Sequence, residues 1–156
     1  MNQLQELIQQ LKSYIPFHEQ ANADVSKSPV GWHLQHTLLT INQIIGNLKK
    51  SDPSTYRWKF SFVKLIVFTT NKIPRGKAKS PNVVVPKNAI TEASITEELI
   101  KAIASIKELD TLQANHYFPH PIFGNLKLKP TIKFLAIHTN HHTAIIKDIL
   151  KNGQSA

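Results

Sequence analysis

Cysteine is absent from this chain. Its absence excludes disulfides, thiolate ligands and a cysteine nucleophile together. Acidic residues are scarce: ten stand against nineteen lysines and arginines, a formal net charge of +9. None of the ten lies within the histidine-rich motifs described below, so no general base is evident and the catalytic residues stay unassigned. Long apolar runs are also missing. The longest, Phe60 to Thr70, is interrupted by Ser61 and Lys64 and is shorter than the ~18 to 20 residues a membrane helix needs. The first residues, Met1-Asn2-Gln3-Leu4-Gln5-Glu6, show no basic stretch leading into an apolar one, so no secretory signal is read. The expected compartment is therefore the cytoplasm, with no membrane partner.

What remains is enough for a folded domain. The chain has 156 residues, 41% of them hydrophobic, which suits one globular unit spanning 1–156. Its positive charge falls in two groups. Lys72, Arg75, Lys77, Lys79 and Lys87 crowd one segment, and Lys127, Lys129 and Lys133 form another. Neither group alternates with aromatic rings as single-strand binders do. The groups read as a solvated basic surface, and a nucleic-acid partner is not expected. Arg75 and Lys77 are the candidates for holding an anionic group.

Helical periodicity organises the chain. Leu4, Leu7, Ile8, Leu11, Tyr14 and Ile15 follow the 3, 4 spacing of an amphipathic helix, and Pro16 ends it. Pro29 opens a second helix to about Lys50, with Leu38, Ile41, Ile44, Ile45 and Leu48 as its apolar stripe. Tyr56 to Asn71 is rich in aromatic and β-branched residues, but its length and lack of a partner strand favour a helix. Residues 73–93 form a long irregular connection carrying Pro74, Gly76, Pro81 and Pro86. Ser94 and Glu97 suggest a capping box for a helix from Ile95 to Leu112. A second irregular connection covers 115–129. Pro130 then starts the last helix, which runs to about Leu150, with Gly153 beyond its end. The expectation is all-α: an antiparallel four-helix bundle, or five helices at most.

The chemistry concentrates in histidines. His138-Thr139-Asn140-His141-His142 lies inside the last helix. His138 and His142 are four apart, so they stack on one face, and a helical wheel puts that face at the centre of Phe134, Leu135, Ile145 and Ile149. His141 falls on the shoulder, as an edge residue. Two stacked inward imidazoles are the means by which one helix offers two nitrogens to one metal ion; the alternative is a pair of hydrogen-bonded core histidines. The second helix carries Trp32-His33-Leu34-Gln35-His36. Spacing permits either His33 or His36 as a third ligand, or neither. Imidazole suits zinc, nickel, copper and ferrous iron alike, so ligand type does not choose the metal. His116 and His18 read as surface residues. His120, held between Pro119 and Pro121, could line a pocket mouth.

At these residues the chain resembles a known group. Gly31-Trp32-His33-Leu34-Gln35-His36 on an early helix, with His138-x-x-x-His142 on the last, is similar to the DinB/YfiT-like superfamily of four-helix-bundle metal-dependent enzymes. Ile73-Pro74-Arg75-Gly76-Lys77-Ala78-Lys79-Ser80-Pro81 and His120-Pro121-Ile122-Phe123-Gly124-Asn125-Leu126 resemble a branch of it known only as a domain of unknown function. The resemblance covers about residues 28 to 150. It implies a divalent metal, zinc, nickel or iron, held by His36, His138 and His142. His33, His141, His120 and Trp32 would then stand around the ligands or line a pocket. It further implies a small-molecule substrate, with a thiol as one candidate, S-transfer or hydrolysis as the reaction, and a homodimer. The competing expectation is a non-catalytic bundle that binds a metal or a small molecule.

Overall fold

The computed structural model describes residues 2–76 and 80–152, and Lys77 lies outside them. Four long helices make the body: α1 (Asn2–Ser13), α2 (Val30–Lys50), α4 (Glu92–Glu108) and α5 (Leu128–Asn152). Between α2 and α4 runs a short helix, α3 (Phe62–Thr70). A two-stranded hairpin, β1 (Tyr117–His120) with β2 (Gly124–Lys127), precedes α5. The fold is an all-α bundle, and among the described residues no helix is long and apolar enough to cross a membrane.

The four long helices pack in a ring, with α1 and α2 each touching both α4 and α5. Each contributes the stripe its periodicity dictates. Leu4, Ile8 and Leu11 come from α1, Leu34, Leu38, Ile41, Ile45 and Leu48 from α2, Ile95, Leu99 and Ile106 from α4, and Leu135, Ile146 and Ile149 from α5, all buried in one core. Helix α2 is covered on nearly every side, and its buried set includes His33, Gln35, His36, Thr37 and Thr40. Gly31 explains how its first turn is approached so closely. The Gly31 N–H donates to the His18 carbonyl at 2.8 Å, and a Cβ at residue 31 would lie 2.9 Å from both that oxygen and the Ile90 side chain.

Several boundaries depart from the sequence reading. Only the second half of 56–71 is helical, because Ser61 caps α3 by accepting from the Lys64 N–H and leaves 56–60 outside the helix. Helix α4 begins three residues earlier than expected. Its capping box joins Thr91 to Ser94, and Glu97 instead pairs with Lys101 at 2.8 Å. The segment 115–129 is not wholly irregular. It holds the antiparallel hairpin, pairing Phe118 with Leu126 and His120 with Gly124. Pro119 fits there because a two-stranded sheet has free edges that require no N–H. Helix α5 starts at Leu128, with Pro130 inside its first turn, where a missing N–H costs nothing.

Candidate metal centre

The N-terminal half of α2 and the middle of α5 face each other across the bundle, and each presents histidines there. His138 and His142 stack along α5 with ring centres 4.6 Å apart. The His36 ring lies 5.2 Å from His138 and 4.8 Å from His142. One ring nitrogen from each of the three falls within 4.8 Å of the others. These three histidines are close enough to hold a metal ion.

The outer bonds of these rings decide which nitrogens are free. His36 Nδ1 lies 2.8 Å from the Val84 carbonyl oxygen. A carbonyl only accepts, so Nδ1 carries the proton and Nε2 keeps a lone pair. Metal-ligating histidines characteristically donate their second ring N–H to a carbonyl or carboxylate in this way. Trp32 stacks on the same ring, 4.8 Å away and 12° from parallel, which holds its plane. His142 Nδ1 lies 3.0 Å from His33 Nδ1, and His33 Nε2 lies 2.9 Å from Ser26 Oγ. One consistent proton arrangement joins them. His142 Nδ1 donates to His33, and His33 Nε2 donates to Ser26, leaving His142 Nε2 unencumbered. The Nδ1 of His138 is buried and meets no hydrogen-bond partner. A buried ring nitrogen left unpaired is a costly arrangement that coordination would relieve, so the residues present fit a cation.

Electrostatics keeps the rings ready. Burial pushes the basicity of His36 down, only partly offset by its bond to Val84. Burial also lowers His138 well below the usual histidine range, with His36, His141 and His120 adding to it. It lowers His142 too, reinforced by His138, His36 and His33. His33 falls to about 4, again chiefly through burial. Neutral imidazole, not imidazolium, is the form that binds a metal.

The remaining expected residues lie around this cluster with distinct roles. His33 is buried rather than half-exposed between two faces, and it touches His142 instead of completing the triad. His141 meets His142 edge-on at 5.1 Å and stays half-buried at the rim. Burial lowers its basicity, as does the nearby Arg75 charge. His120 belongs to the hairpin turn before α5. Its Nδ1 accepts from the Ile122 and Phe123 N–H groups, both at 3.1 Å, and its ring stacks on Phe123 at 4.1 Å, so it knits the hairpin turn. Arg75 pairs with Asp148 at 2.7 Å, so its charge is met from within the chain.

Two participants escaped the sequence reading. Val84 acts through its backbone carbonyl, which no side-chain pattern announces. Ser26 sits in the polar stretch before α2 with no motif around it. The described residues of the connection from α3 to α4 therefore form a strap beside the histidines, tied at Val84 to His36 and at Arg75 to α5.

No protein-family model and no solved structure matches the chain. Among curated proteins it is similar to "Uncharacterized protein YuaE" of Bacillus subtilis (strain 168), 27% identical over 126 residues, covering 70% of this chain and 76% of that protein.

Proposed function

We propose that His36, His138 and His142 bind one divalent cation and that the protein is a metal-dependent enzyme of the DinB-like type acting on a small molecule, by thiol S-transfer or hydrolysis. One observation carries the reading: three neutral imidazoles converge, and the outer nitrogens of two of them are already engaged by Val84 and His33. A bound ion supplies Lewis acidity and, with three protein ligands, an open position for water or a thiol. The chain's part is to orient the ligands. Trp32 and Val84 fix the His36 ring, and His33 fixes the proton on His142. Imidazole donors accommodate zinc, nickel or iron.

Metal analysis of untagged protein is the direct test. About one equivalent of a divalent metal is expected per chain, and His138→Ala or His142→Ala should lose it. Protein that takes up no zinc, nickel or ferrous iron, or a His138→Ala variant that binds unchanged, overturns the site. A second reading is a non-catalytic metal-binding bundle. It is favoured by the fact that, among the described residues, no carboxylate bonds any of the three rings. Turnover of a thiol or hydrolase substrate by the loaded protein, lost in His142→Ala, decides for the enzyme.

A further inference from the structure

Trp58, Phe60 and Phe62 are 68, 60 and 65% exposed, although large apolar residues ordinarily gather inside. The residues before α3 form no regular secondary structure, and the Trp58 and Phe60 rings lie 6.4 Å apart. Helix α3 continues this surface. Its outward arc is Phe62, Val63, Leu65 and Ile66, all exposed, and its one buried residue is Val67. Exposed Ile122, on the hairpin turn, joins the patch where the Ser61 hydroxyl donates to the Ile122 carbonyl at 3.1 Å. A helix this apolar around its whole girth is normally covered, and contiguous exposed patches of this kind mark an interaction surface. Beside it runs a groove of about 630 Å³ walled by Trp58, Phe60, Leu65, Phe68, Lys64 and Lys129, among others.

The charge around the patch has one sign. Lys64, Lys127 and Lys129 line the groove itself, and the chain carries no carboxylate from Pro53 through Thr91 or from Thr111 through Lys147. Among the described residues, Lys59, Lys64, Lys129 and Lys133 meet no acidic partner. Lys133 instead donates to the Phe68 carbonyl at 2.8 Å.

We propose that this face docks peripherally on an anionic lipid bilayer, with Trp58, Phe60, Phe62 and Ile66 entering the headgroup region and the surrounding lysines meeting lipid phosphates. Three partners would attract such a surface, and chemistry separates them. A second copy in a two-fold contact would set the same patch against itself, lysines facing lysines with no carboxylate from these segments to neutralise them. A single-stranded nucleic acid would satisfy the lysines and stack on Trp58, Phe60 and Phe62, but it would leave the aliphatic Val63, Leu65 and Ile66 of the same face uncovered. A bilayer interface accepts aliphatic side chains, aromatic rings and lysines together. The nine-residue α3 lies on such a surface without crossing it. The absence of a spanning segment, from which no membrane partner was expected, does not bear on docking from one side. The inference is independent of the metal, and apo protein should behave identically.

Co-sedimentation of the full chain with phosphatidylcholine vesicles, with and without phosphatidylglycerol, tests it. Binding should tighten roughly tenfold or more with the anionic lipid and weaken with salt. Brominated acyl chains should quench tryptophan emission, and Trp58→Phe should remove that quenching. The double variant Phe62→Ser, Ile66→Ser changes only exposed side chains and should keep its helical circular dichroism while losing roughly tenfold in vesicle binding. The proposal is overturned by equal binding to both vesicle types, by unchanged binding of the double variant, by a concentration-dependent dimer that buries Trp58 without lipid, or by tighter retention of single-stranded oligonucleotides than of anionic vesicles.

Discussion

His33 and His120 are both histidines with basicity lowered to about 4 by burial, yet their hydrogen bonds give them separate duties. His33 bridges His142 to Ser26. Removing the outer partner of a metal ligand typically lowers affinity ~10- to 100-fold. His33→Ala should therefore weaken zinc binding by about that factor in a titration, while His36→Ala should abolish it. His120 accepts two backbone N–H groups of the hairpin turn. Stranding such donors costs roughly 1–3 kcal/mol, so His120→Ala should lower the urea midpoint while zinc affinity stays near the parent value. A loss of affinity equal to that of His33→Ala would place His120 in the centre. The residue scale is also where the sequence was most informative. The i, i+4 spacing of His138 and His142 alone predicts the stacked pair. His33 and His36 could not be separated, because the wheel assumes one face of a helix meets water. Helix α2 is covered by the bundle on one side and by the strap on the other, so its second face is buried without an apolar stripe.

At the scale of elements, the entry of α2 is the sensitive point. The Gly31 Cα sits where a methyl group would approach the His18 carbonyl and the Ile90 side chain to 2.9 Å. Backbone oxygen cannot yield as a flexible side chain can. Gly31→Ala should cost roughly 1–3 kcal/mol of stability and tilt the first turn of α2. Since Trp32, His33 and His36 ride on that turn and the next, zinc affinity should fall with stability. A stable variant that binds zinc normally would uncouple the two. Boundaries were less legible than helices. The hairpin has only four residues per strand, too few for a convincing alternation, and Pro119 and Pro121 disguise it as loop. The irregular 56–60 segment and α3 share an aromatic-rich, apolar composition, so only the cap at Ser61 marks their junction. The strap is least legible of all, since it acts through a carbonyl.

Across the whole molecule, the buried histidines act together on stability. Burial depresses the basicity of His33, His36, His120, His138, His141 and His142. The unfolded chain then takes up protons below about pH 6.5 that the folded chain refuses. Stability should be level above pH 7 and should fall as pH drops from about 6.5 towards 4. For His33 alone, a fall from 6.5 to about 4 corresponds to about 3 kcal/mol over that window. Urea denaturation of metal-free protein from pH 8 to pH 4 measures it, and a midpoint that rises on acidification would contradict the assignment of neutral rings.

The triad joins positions far apart in the chain, His36 on α2 and His138 and His142 on α5. An ion shared between them ties off a loop of about one hundred residues, and restricting the unfolded chain in that way contributes on the order of 4 to 5 kcal/mol for a permanent link. With an ion bound there, a protein with no cysteine would gain a cross-link of another kind, one that forms without an oxidant and that a chelator can undo.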